Sequence, residues 1–285
     1  MSIFSILGLE KSDTLYYPGC MTYFKHKDNY EAYKKIFSKL GIKTVWSENI
    51  ICCGLPAFEM GYEGEARKLA RKKFELLKEN GIKRIITNCP GCYKMFKQNY
   101  PEFLPGWDIE VADVWKLILE KLLNKPKLIK NRFEEKVTYN DSCYLGRYCG
   151  IYDEPRKILE LIGYTIEEIC DSRENSICAG SCGSLYIVNP ELADKIARQR
   201  LLQAKRTGAK KIIVASMQDY YLLNKNSEGL GIEVLELSSV LAKALNIGFS
   251  GESKEETAEE TEEKELVIDA ESGKKIEEPM EENLD

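Results

Sequence analysis

The sequence predicts an α/β fold of two pseudo-symmetric Rossmann-like halves, each a parallel sheet with helices on its faces. Three observations predict it. Short β-rich runs alternate with amphipathic stretches, which implies parallel strands joined by helical crossovers. Matching segments occur twice in one order, at offsets of 123, 125 and 127 residues, the mark of an internal duplication. The cysteines gather at turns after predicted strands, where a parallel sheet places its ligand.

The first half spans 12–125. Its predicted strands are Thr14–Tyr17, Lys43–Trp46, Arg84–Thr87 and Ile109–Val111, and its predicted helices are 27–40, 62–80, 91–99 and 113–123. In helix 62–80, Ala66, Leu69, Ala70, Phe74, Leu76 and Leu77 recur near a 3.6-residue period, and Gly81 is its stop. Pro101 and Pro105-Gly106 mark turns, and Asn124-Lys-Pro126 is the expected linker. The second half spans 135–248, with strands near 136–140, 165–169, 211–215 and 232–235. The repeat is anchored by Leu15-Tyr-Tyr-Pro-Gly-Cys20 against Thr138-Tyr-Asn-Asp-Ser-Cys143, and by Ile51-Cys-Cys-Gly54 against Ser176-Ile-Cys-Ala179. Its last anchor sets Gly81-Ile-Lys-Arg-Ile-Ile-Thr against Gly208-Ala-Lys-Lys-Ile-Ile-Val, each after a basic amphipathic stretch.

The composition is that of a globular protein, 44% hydrophobic and 31% charged. No apolar run approaches the roughly 18–20 residues of a membrane span. Met1–Glu10 lacks a basic leader and a cleavage site, and is expected to be a docking element rather than a secretion signal. The net charge of −5 is uneven. Residues 251–285 hold 15 Asp/Glu against 4 Lys, so the rest of the chain carries +6. That tail is expected to be a disordered, solubilising acidic segment. The body has no concentrated basic arm, which argues against a nucleic-acid partner.

Ten cysteines and a single histidine set the chemistry. A chain of this size needs no disulfide scaffold, so the thiols point to metal or redox work in a reducing, cytoplasmic setting. One histidine excludes most mixed His/Cys zinc designs, and soft sulfur suits iron–sulfur clusters or zinc. In the first half the order is Cys20, Cys52-Cys53, then Cys89-Pro-Gly-Cys92. These groups fall after strands or at Gly/Pro turns, so all five thiols can converge on one sheet edge. A helix opening at Cys89 favours thiolate there. Taken alone, Cys89-Pro-Gly-Cys92 also reads as a dithiol redox motif. A structural zinc site is a further alternative, although an adjacent pair plus a lone cysteine fits zinc poorly.

The pattern Cys-x31-Cys-Cys-Gly-x34-Cys-Pro-x-Cys, with Tyr17-Pro-Gly-Cys20 and Asn88-Cys-Pro-Gly-Cys92 around it, resembles the CCG (cysteine-rich) domain. That domain occurs in the B subunit of heterodisulfide reductase and in iron–sulfur subunits of glycolate, lactate and glycerol-3-phosphate oxidising systems. The resemblance covers roughly residues 13–248, and the duplication fits it, because the family carries two such domains in tandem. It implies a noncubane 4Fe-4S cluster held by Cys20, Cys52, Cys53, Cys89 and Cys92. In the heterodisulfide reductase branch such a cluster cleaves a disulfide with electrons delivered one at a time.

The second half departs from this pattern. On the sequence alignment Cys143 falls opposite Cys20 and Cys178 opposite Cys53, while Ile177 stands opposite Cys52. Ser216 and Asp219 stand opposite Cys89 and Cys92. Cys143, Cys149, Cys178 and Cys182 could hold a second 4Fe-4S cluster, or the site has decayed and its thiols are buried small apolar groups. Cys170 reads as structural, and Trp46, Trp107 and Trp115 read as core. Tyr23, Phe24, Tyr93 and Phe96 are expected to pack around the first site. His26, Lys25, Lys27 and Arg147 are expected on the solvated surface.

No ferredoxin-type cysteine run and no dinucleotide fingerprint occurs, so electrons must come from, or pass to, a separate electron-carrier or flavoprotein subunit. A membrane-bound partner is compatible with this. The leading expectation is an oxidoreductase subunit acting on a small disulfide or thiol. The alternative is an electron-relay subunit of a flavin-linked dehydrogenase, of the 2-hydroxy acid or glycerol-3-phosphate type. A third class is a zinc-bearing scaffold.

Overall fold

A computed structural model of the chain describes residues 12–47 and 52–248. The predictions for Met1–Glu10 and for the acidic tail lie outside the described residues. The first half runs through β1 (Thr14–Tyr16), α1 (Lys27–Leu40), α2 (Leu55–Glu59), α3 (Glu63–Glu79), β2 (Arg84–Thr87), α4 (Pro90–Lys94), α5 (Tyr100–Phe103), β3 (Glu110–Asp113) and α6 (Val114–Asn124). The second runs through β4 (Lys136–Asn140), α7 (Asp153–Leu161), β5 (Thr165–Ile166), α8 (Leu185–Val188), α9 (Pro190–Lys205), β6 (Lys211–Val214), α10 (Met217–Lys225), β7 (Glu233–Glu236) and α11 (Leu237–Ala244).

Both sheets are parallel, ordered β1-β2-β3 and β5-β4-β6-β7. The expected strand Lys43–Trp46 is reduced to one bridge, Val45 beside Leu15. That bridge lies on β1 where β5 lies on β4, so the two topologies are the same. The expected strand 165–169 is likewise only two residues long. Such short edges leave few unpaired backbone groups exposed. The central strands are covered on both faces: Ile85, Ile86, Ile212 and Ile213 are all fully buried.

The helices form where the pattern places them. α1 buries Tyr30, Tyr33, Ile36, Phe37 and Leu40 along one stripe and stops at Gly41, which is left-handed at φ 69°. Asp113 caps α6 by accepting from the backbone N–H groups of Trp115 and Lys116. The expected helix 91–99 is longer and broken. α4 passes through a wide turn at Met95–Asn99 into α5, beyond the expected turn at Pro101. The proline fits because it lies in the first turn of α5, where its missing N–H costs least.

The two halves share one core. Tyr16, Phe37, Trp115 and Ile118 from the first pack with Tyr139, Ile158, Ile213 and Leu241 from the second. Polar groups tie the same seam. Tyr33 donates its hydroxyl to Glu236 Oε1 at 2.6 Å, and Asn29 Nδ2 donates to Ser238 Oγ at 3.1 Å. Of the tryptophans, Trp115 is buried, Trp107 packs on Phe74 and Tyr100, and Trp46 is half-buried beneath Lys34. Among the described residues, no helix is long and apolar enough to cross a membrane.

Candidate metal centre

The carboxyl ends of β1 and β2 deliver Cys20 and Cys89, and the start of α2 delivers Cys52 and Cys53. Gly19 makes the approach possible. Its φ is +77°, and a Cβ there would stand 2.7 Å from Cys89 Cβ and 3.4 Å from Cys92 Sγ. The five thiols form one chain of contacts. Cys20 and Cys53 both donate to Cys52. Cys92 donates to Cys53 at 3.4 Å and lies beside Cys89. Cys52 is therefore pulled well below the ordinary thiol range by its two thiol donors, with help from the Gly54 N–H at 3.4 Å. Cys89 is lowered by Cys92 and by the N–H groups of Cys92 and Gly91 at the opening of α4. Cys20, Cys53 and Cys92 keep their protons, pushed up mainly by the thiol partners they donate to. All five are free cysteines. Several adjacent sulfurs, two of them lowered towards the thiolate, form a donor set suited to soft iron or zinc.

Aromatic rings line the back of this group. Tyr17, Phe96 and Tyr100 stack edge to face, and Tyr100 donates its hydroxyl to the Cys53 carbonyl at 3.1 Å. Lys73 of α3 is buried there, its Nζ 4.4 Å from the Tyr17 ring centre. Burial pulls its ammonium down to about 8, against the opposing pull of Cys53, Cys92 and Cys52. Of the aromatics expected at this site, Phe96 is in place, and Tyr93 packs on both the thiol cluster and the shared core. Tyr23 packs on the shared core, and Phe24 is exposed instead, on the wide turn Met21–Lys25.

The second half brings three of its four candidate thiols together. The Sγ atoms of Cys143, Cys178 and Cys182 lie within 4.8 Å of one another. Cys149 stands apart against the shared core, where burial raises its thiol to about 12. Cys178 is pulled well down by Cys143 and Cys182, with the Gly180 N–H at 3.3 Å. That last bond corrects the sequence alignment by one residue. Gly54 and Gly180 are both left-handed, both donate to a sulfur two residues earlier, and both face the helix alanine Ala66 or Ala193. Cys178 thus takes the place of Cys52, and buried Ala179 that of Cys53. A pattern of letters cannot register this shift, because the glycine turn is what fixes the register.

A hydrogen-bonded network backs the second group. Arg200 is wholly buried and donates to Asn140 Oδ1 at 2.8 Å and to Ser176 Oγ at 3.0 Å. Asn140 Nδ2 reaches Asp219 at 3.3 Å, and Ser181 also donates to that carboxylate. Burial pushes Asp219 up to about 7. Nearby, Arg156 grips Asp141 with two bonds of 2.7 and 2.8 Å. Cys170 is exposed rather than structural, since it follows the short β5 on a surface loop.

The two thiol groups face each other across one wall. Cys53, Cys92, Cys143 and Tyr144 share a buried cluster, with Cys89, Cys178 and Cys182 packed on it. The Tyr144 hydroxyl bonds to Glu59 of α2 and accepts from the Gly183 N–H at 3.1 Å. His26 is half-buried rather than surface-exposed, because it packs edge-on against Tyr220 of α10, 5.4 Å between ring centres. Lys25 and Lys27 are exposed, and exposed Arg147 donates to the Ser176 carbonyl. Tyr144, Glu59, Lys73 and Arg200 escaped the sequence reading. The offset of 127 that relates Gly81 to Gly208 also relates Lys73 to Arg200, and was the available signal.

A duplicated α/β chain with clustered thiols at the carboxyl ends of its sheets is a cysteine-rich protein. The chain belongs to the cysteine-rich domain family, CCG, which matches it twice, over residues 14–97 and 137–218. It is 31% identical over 210 residues to the D subunit of the dihydromethanophenazine:CoB–CoM heterodisulfide reductase of Methanosarcina mazei, covering 70% of this chain and 50% of that one. It is 33% identical over 193 residues to the EtfAB:quinone oxidoreductase of Syntrophomonas wolfei, covering 66% of this chain and 27% of that one. The chain thus spans about half the length, or less, of these relatives. A solved structure of a hypothetical protein from Helicobacter pylori shares the fold, with a TM-score of 0.53 and 14% identity over 87% of this chain and 53% of that one.

Proposed function

We propose that this chain is an iron–sulfur oxidoreductase subunit of the heterodisulfide reductase type, with its reactive centre in the first half. Cys20, Cys52, Cys53, Cys89 and Cys92 would hold a noncubane 4Fe-4S cluster. The observation that carries this reading is the unbroken chain of five free thiols over the Gly19 cradle. When bound, such a cluster supplies one-electron transfer and an iron that can take a substrate sulfur. The protein's own part is to lower Cys52 and Cys89 towards the thiolate and to keep water from the back of the site with Tyr17, Phe96 and Tyr100. The overall reaction is two-electron reduction of a small disulfide to two thiols, with two protons taken up, or its reverse.

A relative named as a reductase subunit supports a separate electron-carrier or flavoprotein partner, and the proposed place of work is the cytoplasm. The two halves act as tandem cysteine-rich domains, the second holding its own centre through Cys143, Cys178 and Cys182. A relay reading is favoured by one observation: Tyr144 stands between the two thiol groups, joined to Glu59 on one side and Gly183 on the other. In that reading the chain passes electrons from a flavoprotein towards quinone. Anaerobic purification with iron, sulfide and zinc analysis, and EPR of the oxidised protein, tests both. About four irons with equal sulfide are expected for the first half alone, and about eight if the second half also holds a cluster. Zinc with negligible iron would overturn the redox reading.

A further inference from the structure

The thiols of the two halves are spaced differently. In the first half they run as a chain, and no three of the sulfurs lie within 4.8 Å of one another. In the second, Cys143, Cys178 and Cys182 form a compact trio, the one such group of candidate metal ligands among the described residues. Cys143 and Cys182 stand 2.7 Å apart. Three sulfurs bound at about 2.3 Å to one tetrahedral ion lie about 3.8 Å from one another. The trio is thus drawn around a single point, whereas a cluster sets its ligand sulfurs on separate irons.

A four-iron cluster also takes four cysteines. The second half supplies no fourth sulfur at this site. Cys149 packs on the shared core. Ser216, opposite Cys89, caps α10 by accepting from the Asp219 N–H at 3.4 Å. Asp219, opposite Cys92, accepts from Asn140 and Ser181. Cys178 and Cys182 are half-buried, so water can complete a tetrahedron around an ion held by the three sulfurs.

The trio stands on a rigid frame. Arg200 donates to Asn140 Oδ1 at 2.8 Å and to Ser176 Oγ at 3.0 Å, so one buried guanidinium pins the loop of Cys143 and the loop of Cys178. Ser176 in turn donates to the Asp141 carbonyl at 3.1 Å, and the Gly180 N–H points at Cys178 Sγ at 3.3 Å. Supporting bonds of this kind hold metal ligands in a chosen geometry.

We propose that the second half binds one zinc ion through Cys143, Cys178 and Cys182 rather than a second four-iron cluster, an inference that rests on the reading that this half holds its own metal centre. Zinc has no redox chemistry. One-electron traffic is then confined to the first half, and the second half is a fixed wall beside it.

The test is zinc, iron and sulfide analysis of the full chain, purified anaerobically from cells supplied with both metals, together with X-ray absorption at the zinc edge. About one zinc is expected beside about four irons, with a zinc shell of three sulfurs at about 2.3 Å and one lighter donor. Cys178→Ser and Cys182→Ser should lose most of the zinc and keep the iron, whereas Cys149→Ser should keep both. About eight irons without zinc would overturn the inference, as would full zinc in both Cys178→Ser and Cys182→Ser. If those variants fail to fold, the zinc shell of the parent decides alone, and four sulfurs with no lighter donor would overturn the inference. Zinc in the three-sulfur shell without iron would uphold the inference and defeat the functional reading of the first half. About four irons without zinc would do the opposite.

Discussion

The two halves place a buried cation beside their thiols by different physical means. In the first, Lys73 lies against aromatic faces, and the wall is built of Tyr17, Phe96 and Tyr100. In the second, Arg200 is held by Asn140 and Ser176, and the wall is a polar network that ends on Asp219. An ammonium is a compact point charge that can rest over a ring face, whereas a guanidinium fork can also reach several fixed acceptors at once. Duplication kept the geometry of the site while its chemistry diverged. The first half gathers five thiols at its site, and the second gathers three, with Ala179, Ser216 and Asp219 where further sulfur would stand.

The largest effect expected from breaking this asymmetry is on metal content. Cys53→Ala should abolish the first-half centre and leave any metal bound to Cys143, Cys178 and Cys182 in place. Cys182→Ala should do the reverse, and metal analysis of both variants reads the outcome. Retention of full iron in Cys53→Ala would break the assignment.

Arg156→Ala probes the polar wall of the second half. It leaves buried Asp141 without its bidentate partner, and a loss of about 3–5 kcal/mol is expected in denaturant unfolding. Gly19→Ala probes the cradle of the first half. The positive φ and the 2.7 Å approach to Cys89 Cβ should cost roughly 1–3 kcal/mol and lower iron content in the same protein. Its second-half counterpart by the offset of 123 is Ser142, which already carries a Cβ, so Ser142→Ala should lack that steric penalty.

The seam between the halves gives smaller effects. Tyr33→Phe removes the 2.6 Å bond to Glu236 and should cost about 1–3 kcal/mol, measured by thermal or denaturant unfolding. Glu236 itself is raised above the ordinary carboxylate range, chiefly by burial. The folded chain therefore holds its proton to higher pH than the unfolded chain does. Stability should fall as pH rises from about 4.3 until the raised value has been passed. Glu236→Gln should flatten that slope, and melting temperatures across the pH range will show whether it does.

Much of this was legible in the sequence. The helix over 27–40 ends where Gly41 ends it, and the strand over 136–140 is as read, because local periodicity decides both and a glycine stops the first. The five first-half cysteines could be singled out by type and spacing alone. Other features could not be read locally. Lys43–Trp46 has strand composition, yet only Val45 pairs, because an edge strand depends on how far its neighbour extends. Four second-half thiols looked equivalent as letters, and only the chain path separates Cys149 from the other three.

The sequence by itself determined the duplication, the alternation of strand and helix, and a sulfur-rich chemistry, since all three are written in periodicity and residue type. Only the tertiary structure decided that Cys178 stands for Cys52, because a left-handed glycine aims its N–H at that sulfur. It alone decided that Lys73 and Arg200, each among ordinary surface-like charges on a basic helix, are buried behind the thiols. Burial is a property of the packed faces, and no local run of residues carries it.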